Sequence, residues 1–140
     1  AGKFYRVKVL FLPYEVATVA ALDPEGLESG ARHAGVVYIR PFGESIRKGL
    51  FAALEKIQIR EKLDRNPDLR WGAIFYHIGD RELHSLYTEG RMLGSTQRGM
   101  IDGKSLSLNS ALTDWFEKTF PEIMRAAADG QFRVDSPKRR

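Results

Sequence analysis

The stretch from Leu69 to Thr88 constrains the fold most. Leu69 to Ile78 is rich in aromatic and β-favouring residues. Gly79-Asp80 is the two-residue step expected of a type II′ turn, and Arg81 to Thr88 returns as a second strand. Such a hairpin commits the chain around it to antiparallel pairing. In this register Ile78 pairs with Arg81, His77 with Glu82 and Phe75 with His84.

The remaining pattern supplies partners for that hairpin. From Phe4 to Phe11, Tyr5, Val7, Val9 and Phe11 alternate with Arg6 and Lys8, the signature of a strand with one wet face. Val16 to Ala21 reads as a short strand, and Leu22 to Gly35 as a loop or one short helix with turn chemistry at Asp23-Pro24-Glu25-Gly26. Val36 to Arg40 is a strand stopped by Pro41. Ser45 is the expected cap of a helix running to about Leu63, with Ile46, Leu50, Leu54 and Ile57 as its apolar stripe. Asn109 or Ser110 caps a last helix carrying Leu112, Trp115, Phe116, Phe120, Ile123 and Ala127. Pro121 predicts a break near Thr119, Gly130 a stop, and Gln131 to Val134 a final edge strand. Hairpins outnumber β-α-β units. The class is therefore α+β: a mostly antiparallel sheet of about five to six strands covered by two main helices.

The chain has 140 residues, 43% of them hydrophobic and 29% charged. These values fit one globular domain over residues 1–135 and a short basic tail over 136–140. No run approaches the roughly 18 apolar residues that cross a membrane, and no secretory leader opens the chain. The absence of cysteine removes disulfides, a thiolate nucleophile and Cys-ligated zinc, and fits a cytoplasmic setting. The net charge of +4 points to acidic partners, nucleic acid among them. Its placement weakens that reading. Residues 1–132 hold 18 basic against 17 acidic side chains, so the excess sits in the tail with Arg133, Lys138, Arg139 and Arg140.

Between hairpin and last helix lies Glu89 to Lys104, read as a long connector. It holds Gly90, Gly94, Gly99 and Gly103, with Arg91, Arg98 and Lys104 among them. Glycines free backbone N–H groups to converge on an anion, and arginines complete such sites. Met92, Leu93, Met100 and Ile101 argue instead for a protein partner, because an electrostatic loop has no need of large apolar residues. The same residues could form a short strand docked into the sheet, which would shrink the loop.

Other constellations are weaker. His77, Glu82 and His84 share one face in the hairpin register and resemble a facial metal site or an acid/base pair. An ordinary cross-strand His–Glu contact explains them equally, and a one-residue slip abolishes the set. Aromatic and basic residues interleave at Phe4-Tyr5-Arg6, Tyr38-Ile39-Arg40-Pro41-Phe42 and Arg70-Trp71, as on sheets that stack single-stranded nucleic acid. Alternation along strands produces the same pattern. Trp115, Phe116 and Phe120 are either core or a protein-facing surface. No nucleophile elbow, P-loop or paired-carboxylate motif is present.

A strand ending in Leu12-Pro13-Tyr14-Glu15-Val16-Ala17, a helix with Phe51 and Leu54, and then Gly72-Ala73-Ile74-Phe75-Tyr76 together resemble the gyrase-inhibitor-like effector-binding domains over about half the chain. That family repeats its strand–helix unit, and no matching signature occurs in the second half. The resemblance implies a small-molecule pocket.

The leading expectation is a non-enzymatic binding protein, either a regulator, an accessory factor or an assembly subunit. It engages a macromolecular partner, most simply a protein, through Arg91, Met92, Leu93, Arg98, Met100 and Lys104 and the tail residues Lys138, Arg139 and Arg140. No cofactor, catalytic set or metal is implied. The alternatives are a nucleic-acid-binding protein, and a small-molecule-binding domain or metal-dependent enzyme using His77, Glu82 and His84. Homo-oligomerisation stays open.

Overall fold

A computed structural model describes residues 4–13, 21–57, 59–62, 67–77, 81–89, 97–128 and 133–135. It is an α+β fold built on one sheet. The strands are β1 (Phe4–Phe11), β2 (Val36–Pro41), β3 (Ile59–Lys62), β4 (Trp71–His77), β5 (Glu82–Thr88), β6 (Gln97–Ile101), β7 (Lys104–Leu108) and β8 (Arg133–Asp135). The helices are α1 (Pro24–Ala34), α2 (Glu44–Lys56), α3 (Ala111–Thr119) and α4 (Pro121–Ala128). The sheet order is β3-β7-β6-β5-β4-β1-β2-β8, and every pair is antiparallel except β2 with β8.

The sheet has eight strands, against five to six expected. Two come from the glycine-rich run, where β6 and β7 form a hairpin across Asp102-Gly103. Asp102 has φ 49° and Gly103 φ 85°, the pair of left-handed residues that a tight I′ hairpin turn requires. The connector from Glu89 to Lys104 is therefore sheet from Gln97 onward. Gly99 serves close packing there, since a Cβ at that position would lie 2.4 Å from the Tyr87 carbonyl oxygen. A third strand comes from the C-terminal half of the expected long helix. Helix α2 ends at Lys56, not Leu63, because Ile57 turns to extended backbone and Ile59–Lys62 pairs with β7.

Leu22 to Gly35 holds an eleven-residue helix. Asp23 accepts the Gly26 N–H through Oδ1 at 2.7 Å, and Pro24 occupies the first turn, where its missing N–H costs nothing. Pro121 breaks the last helix as its chemistry demands: α3 ends at Thr119 and α4 begins at Pro121. The β4–β5 ladder keeps Phe75 opposite His84 but then shifts, placing Tyr76 opposite Glu82, while the His77 N–H donates to the Arg81 carbonyl. The Gly79-Asp80 turn, the Val16–Ala21 strand up to residue 20, the Gly130 stop and the tail 136–140 lie outside the described residues. The final edge strand exists as β8, parallel to β2.

Helices cover both faces. On one side Leu27 and Ala31 of α1 pack on Leu10, Leu12, Val37, Ile74, Tyr87 and Met100. On the other, α2, α3 and α4 enclose the larger core. Trp71 stacks on Phe116 with ring centroids 5.0 Å apart, Phe11 lies 4.3 Å from Trp71, and Phe120 sits edge-on to Trp115 at 5.6 Å. Burying aromatics of this size contributes about 1.5–3 kcal/mol each. No helix among the described residues is long and apolar enough to cross a membrane.

Candidate functional site

A groove of about 1050 Å³ lies between α2 and α3. Helix α2 turns Leu50 and Ala53 toward the core, which leaves Gly49, Ala52 and Lys56 on its flank toward α3. Asn109 Nδ2 donates to the Lys56 carbonyl at 2.8 Å and pins the start of α3 to the end of α2. The two helices thus run side by side in opposite directions. Where the α2 residues are small the helices do not close on each other, and the gap is floored by Gly49, Ala52, Ala53 and Trp115.

Trp115 is 5% exposed, and its indole N–H has no hydrogen-bond partner among the described residues. A side chain at Gly49 would meet that nitrogen first, at 3.7 Å. The unpaired donor therefore faces Gly49. The nitrogen itself is closed off, so nothing seated in the groove reaches it. Trp71 carries the second unpaired indole N–H, but it sits wholly inside the core.

The ends of the groove are polar. Arg40, Glu44, Ser45 and Lys118 line one end, and Lys56, Ser110 and Asp114 the other. Arg40 is held by Glu122 at 3.0 Å, Glu44 lies 3.8 Å from Lys48, and Asp114 accepts from the Ser110 hydroxyl. Lys56 and Lys118 are exposed and form no ion pair with a described residue. No described side chain caps the N-terminus of α2 at Gly43.

The residues expected to bind a partner are dispersed. Met100 packs in the α1-side core at 8% exposure and shows only an edge, in the cleft between α1 and the sheet. Arg98 is committed to Glu89, with Nη2 2.8 Å from Oε2. Glu89 is only 3% exposed, and its Oε2 also accepts the Asp68 N–H. Asp68 in turn pairs with the buried Arg70, which donates to the Pro13 carbonyl. Beside this cluster the Thr113 hydroxyl bonds both Thr88 and Gln97, all three buried. Charged and polar residues at the start of β4 and β6 and the end of β5 thus fasten the sheet. Lys104 is exposed at the start of β7. Arg91, Met92, Leu93, Lys138, Arg139 and Arg140 lie outside the described residues.

The His77, Glu82 and His84 face does not form. The shift after Phe75 puts Glu82 opposite Tyr76, where it lines a cleft with Tyr76, Ser85 and Tyr87. His84 stays opposite Phe75 and bonds Asp102 through Nδ1 at 2.9 Å. Asp102 also accepts the Ser85 N–H, so His84 helps clamp the β6–β7 turn. No three His, Cys, Asp or Glu among the described residues are grouped to hold a metal.

Of the interleaved aromatics whose side chains are described, Phe42 and Trp71 face inward and Tyr38 is partly buried. Trp71 and Phe42 are buried, and Arg70 is buried with them. Arg6 covers the Tyr76 ring at 4.6 Å and Arg40 the Tyr38 ring at 5.3 Å, so these rings stack on the chain's own cations. Trp115, Phe116 and Phe120 belong to the core.

A smaller cleft of about 310 Å³ lies between α1 and the sheet, with Lys8, Glu25, Glu28, Glu82 and Tyr87 on its walls. Burial, and then the charges of Glu82 and Glu28, raise the Tyr87 phenol above its ordinary value and keep it protonated. Burial also raises the Glu28 carboxyl. Hydrogen bonds from Arg32 and Lys8, together with their charges, outweigh it and bring the group below its ordinary value.

The groove residues are a part of the molecule that sequence patterning passes over. Gly49 and Ala52 interrupt no apolar stripe, and Lys56 reads as one more solvated cation. The available signal was a Gly49-x-x-Ala52 flank on an otherwise bulky helix. Comparison with protein-family models, with curated proteins and with solved structures finds no match for this chain.

Proposed function

We propose that the chain is a non-enzymatic binding protein of a regulatory or assembly kind, working in the cytoplasm, and that a protein partner docks in the groove between α2 and α3. The observation that carries this reading is the groove itself, an open concavity of about 1050 Å³ with a floor of Gly49, Ala52, Ala53 and Trp115 and two exposed lysines, Lys56 and Lys118, on its walls. Phe51 at 48% and Leu54 at 37% exposure lie on the side of α2 turned away from Gly49 and Ala52, outside the groove. The basic tail and Arg91 to Leu93 are a second contact in this reading, while Arg98 and Met100 serve the fold.

The test fills the groove. Gly49→Leu places a side chain over the Trp115 N–H without meeting backbone. Affinity capture from the native host is run in parallel with the wild-type chain and with this variant, after circular dichroism shows that both fold. Proteins captured by the wild type and lost with Gly49→Leu support the reading. An unchanged set of captured proteins rejects the groove. Capture of oligonucleotides, with affinity falling steeply as salt rises, would replace the protein partner with nucleic acid.

A further inference from the structure

The cleft between α1 and the sheet lies on the face opposite the groove, and the strand register builds its floor. Lys8 stands opposite Ile74, and Ile74 opposite Ser85. In the next row Gly72 stands opposite Tyr87, and Tyr87 opposite Met100. Gly72 has no side chain, so the Tyr87 ring lies over it; a Cβ there would come within 2.6 Å of the ring. Helix α1 supplies a wall with Pro24, Glu25 and Glu28, and the paired Tyr76 and Glu82 also line the cleft.

Two buried side chains of this floor keep their hydrogen-bonding capacity. Ser85 is 9% and Tyr87 7% exposed, and neither hydroxyl bonds a described residue. Their oxygens are not closed off as the two indole nitrogens are. Three carboxylates stand around them. Glu28 is occupied, since it accepts from Lys8 at 3.1 Å and from Arg32 at 2.9 Å. Glu25 and Glu82 are exposed and form no ion pair with a described residue. Three negative charges against the one of Lys8 repel an anion. Among the described residues the acids are not grouped closely enough to hold one metal ion. Two free carboxylates, one on α1 and one on β5, call for two positive charges on one molecule. Ile74, Met100 and the tyrosine rings offer apolar and aromatic surface to the carbons that join them.

The geometry points to a binding site for a short aliphatic diamine in this cleft, with one ammonium on Glu25 and the other on Glu82. Both contacts are charge-assisted hydrogen bonds, and the Tyr87 phenol oxygen accepts a further N–H. A volume of about 310 Å³ is at the small end of ligand sites and suits a molecule of this size. The site goes beyond the protein-binding groove and does not depend on it.

Nitrogen-15 NMR titration of the full chain tests the site with 1,4-diaminobutane, and with 1-aminobutane, magnesium chloride and butanedioate for comparison. Saturating shifts at the Glu28, Ser85 and Tyr87 amides are expected with the diamine. Its affinity should be about tenfold or more above that of the monoamine, and should weaken as salt is added. Glu25→Gln/Glu82→Gln should lower it about tenfold or more. Tyr87→Phe keeps the ring over Gly72 and removes only the hydroxyl, and should lower it about two- to tenfold. Glu55→Gln removes an exposed acid of α2, outside the cleft, and should leave it unchanged. Circular dichroism first confirms that each variant folds.

Absence of saturable diamine binding overturns the proposal. Equal affinity for 1-aminobutane also overturns it, because a single ammonium, such as a partner's lysine side chain, would then suffice. Equal or tighter binding of magnesium or butanedioate replaces the diamine with a metal ion or an anion. Unchanged affinity in Glu25→Gln/Glu82→Gln, or an equal loss in Glu55→Gln, reduces the binding to general attraction and overturns the site.

Discussion

Two regions of this molecule use positive charge in opposite ways. At the edge of the glycine-rich run, Arg98 and Arg70 are locked by Glu89 and Asp68, and the Glu89 carboxylate is almost wholly buried. In the α2–α3 groove, Lys56 and Lys118 stand exposed and form no ion pair with a described residue. The first region looks functional in sequence because glycine and arginine are dense there. Among its described residues the fold uses that chemistry: Gly99 allows close strand packing, Gly103 makes the turn, and Arg98 neutralises a buried acid. The second region looks bland, yet it keeps its donors unspent. Residues whose hydrogen-bonding capacity is satisfied internally have little left for a partner, whereas unsatisfied groups at a concave surface do.

The strongest challenge to this contrast is Arg98→Glu. It sets two carboxylates against each other with one buried, and breaking such a pair costs about 3–5 kcal/mol. Urea denaturation measures it. A loss under about 1 kcal/mol would return Arg98 to the list of free surface cations. Thr113→Val comes next. It removes the hydroxyl that serves both Thr88 and Gln97, leaving buried polar groups unpaired, at about 1–3 kcal/mol. A neutral result by thermal denaturation would show that the hub holds the sheet less firmly than its geometry implies.

Gly49→Leu sharpens the other side. Stability should change by less than about 1 kcal/mol, typical of a surface substitution, while partner binding is lost. A large destabilisation would mean the groove closes on itself in solution. The smallest effect belongs to Glu28→Gln at the α1 cleft. The Glu28–Arg32–Lys8 contacts are partly exposed, so the difference should stay under about 1 kcal/mol at neutral pH. The folded-state value of Glu28 lies below its unfolded value. Its contribution is therefore present above the ordinary carboxyl range near pH 4.3 and fades as pH falls through the lowered value. Stability curves that stay parallel from pH 7 to pH 2.5 would show that the pair does not act in solution.

Much of the architecture is legible from local rules. Alternation marks β1, Pro121 divides α3 from α4, and the antiparallel β4–β5 pairing follows from two β-favouring runs about a short turn. The failures share a cause. Ile59–Lys62 continues a helical pattern, but as a strand it finds β7 as a partner more than forty residues away. Asp102-Gly103 carried a turn signal that a long basic, glycine-rich run concealed. The slip between Phe75 and Tyr76 is a shift of pairing that no local pattern announces, and it separates Glu82 from His84.

Sequence by itself determined the α+β class and the antiparallel character of most pairings, because period and turn chemistry act over a few residues. Tertiary structure alone decided which cations are spent and which are free. That depends on carboxylates and helices brought together from distant parts of the chain, as Glu89 is to Asp68 and Gly49 is to Trp115. No local pattern encodes an unpaired donor, since pairing is a property of the assembled neighbours.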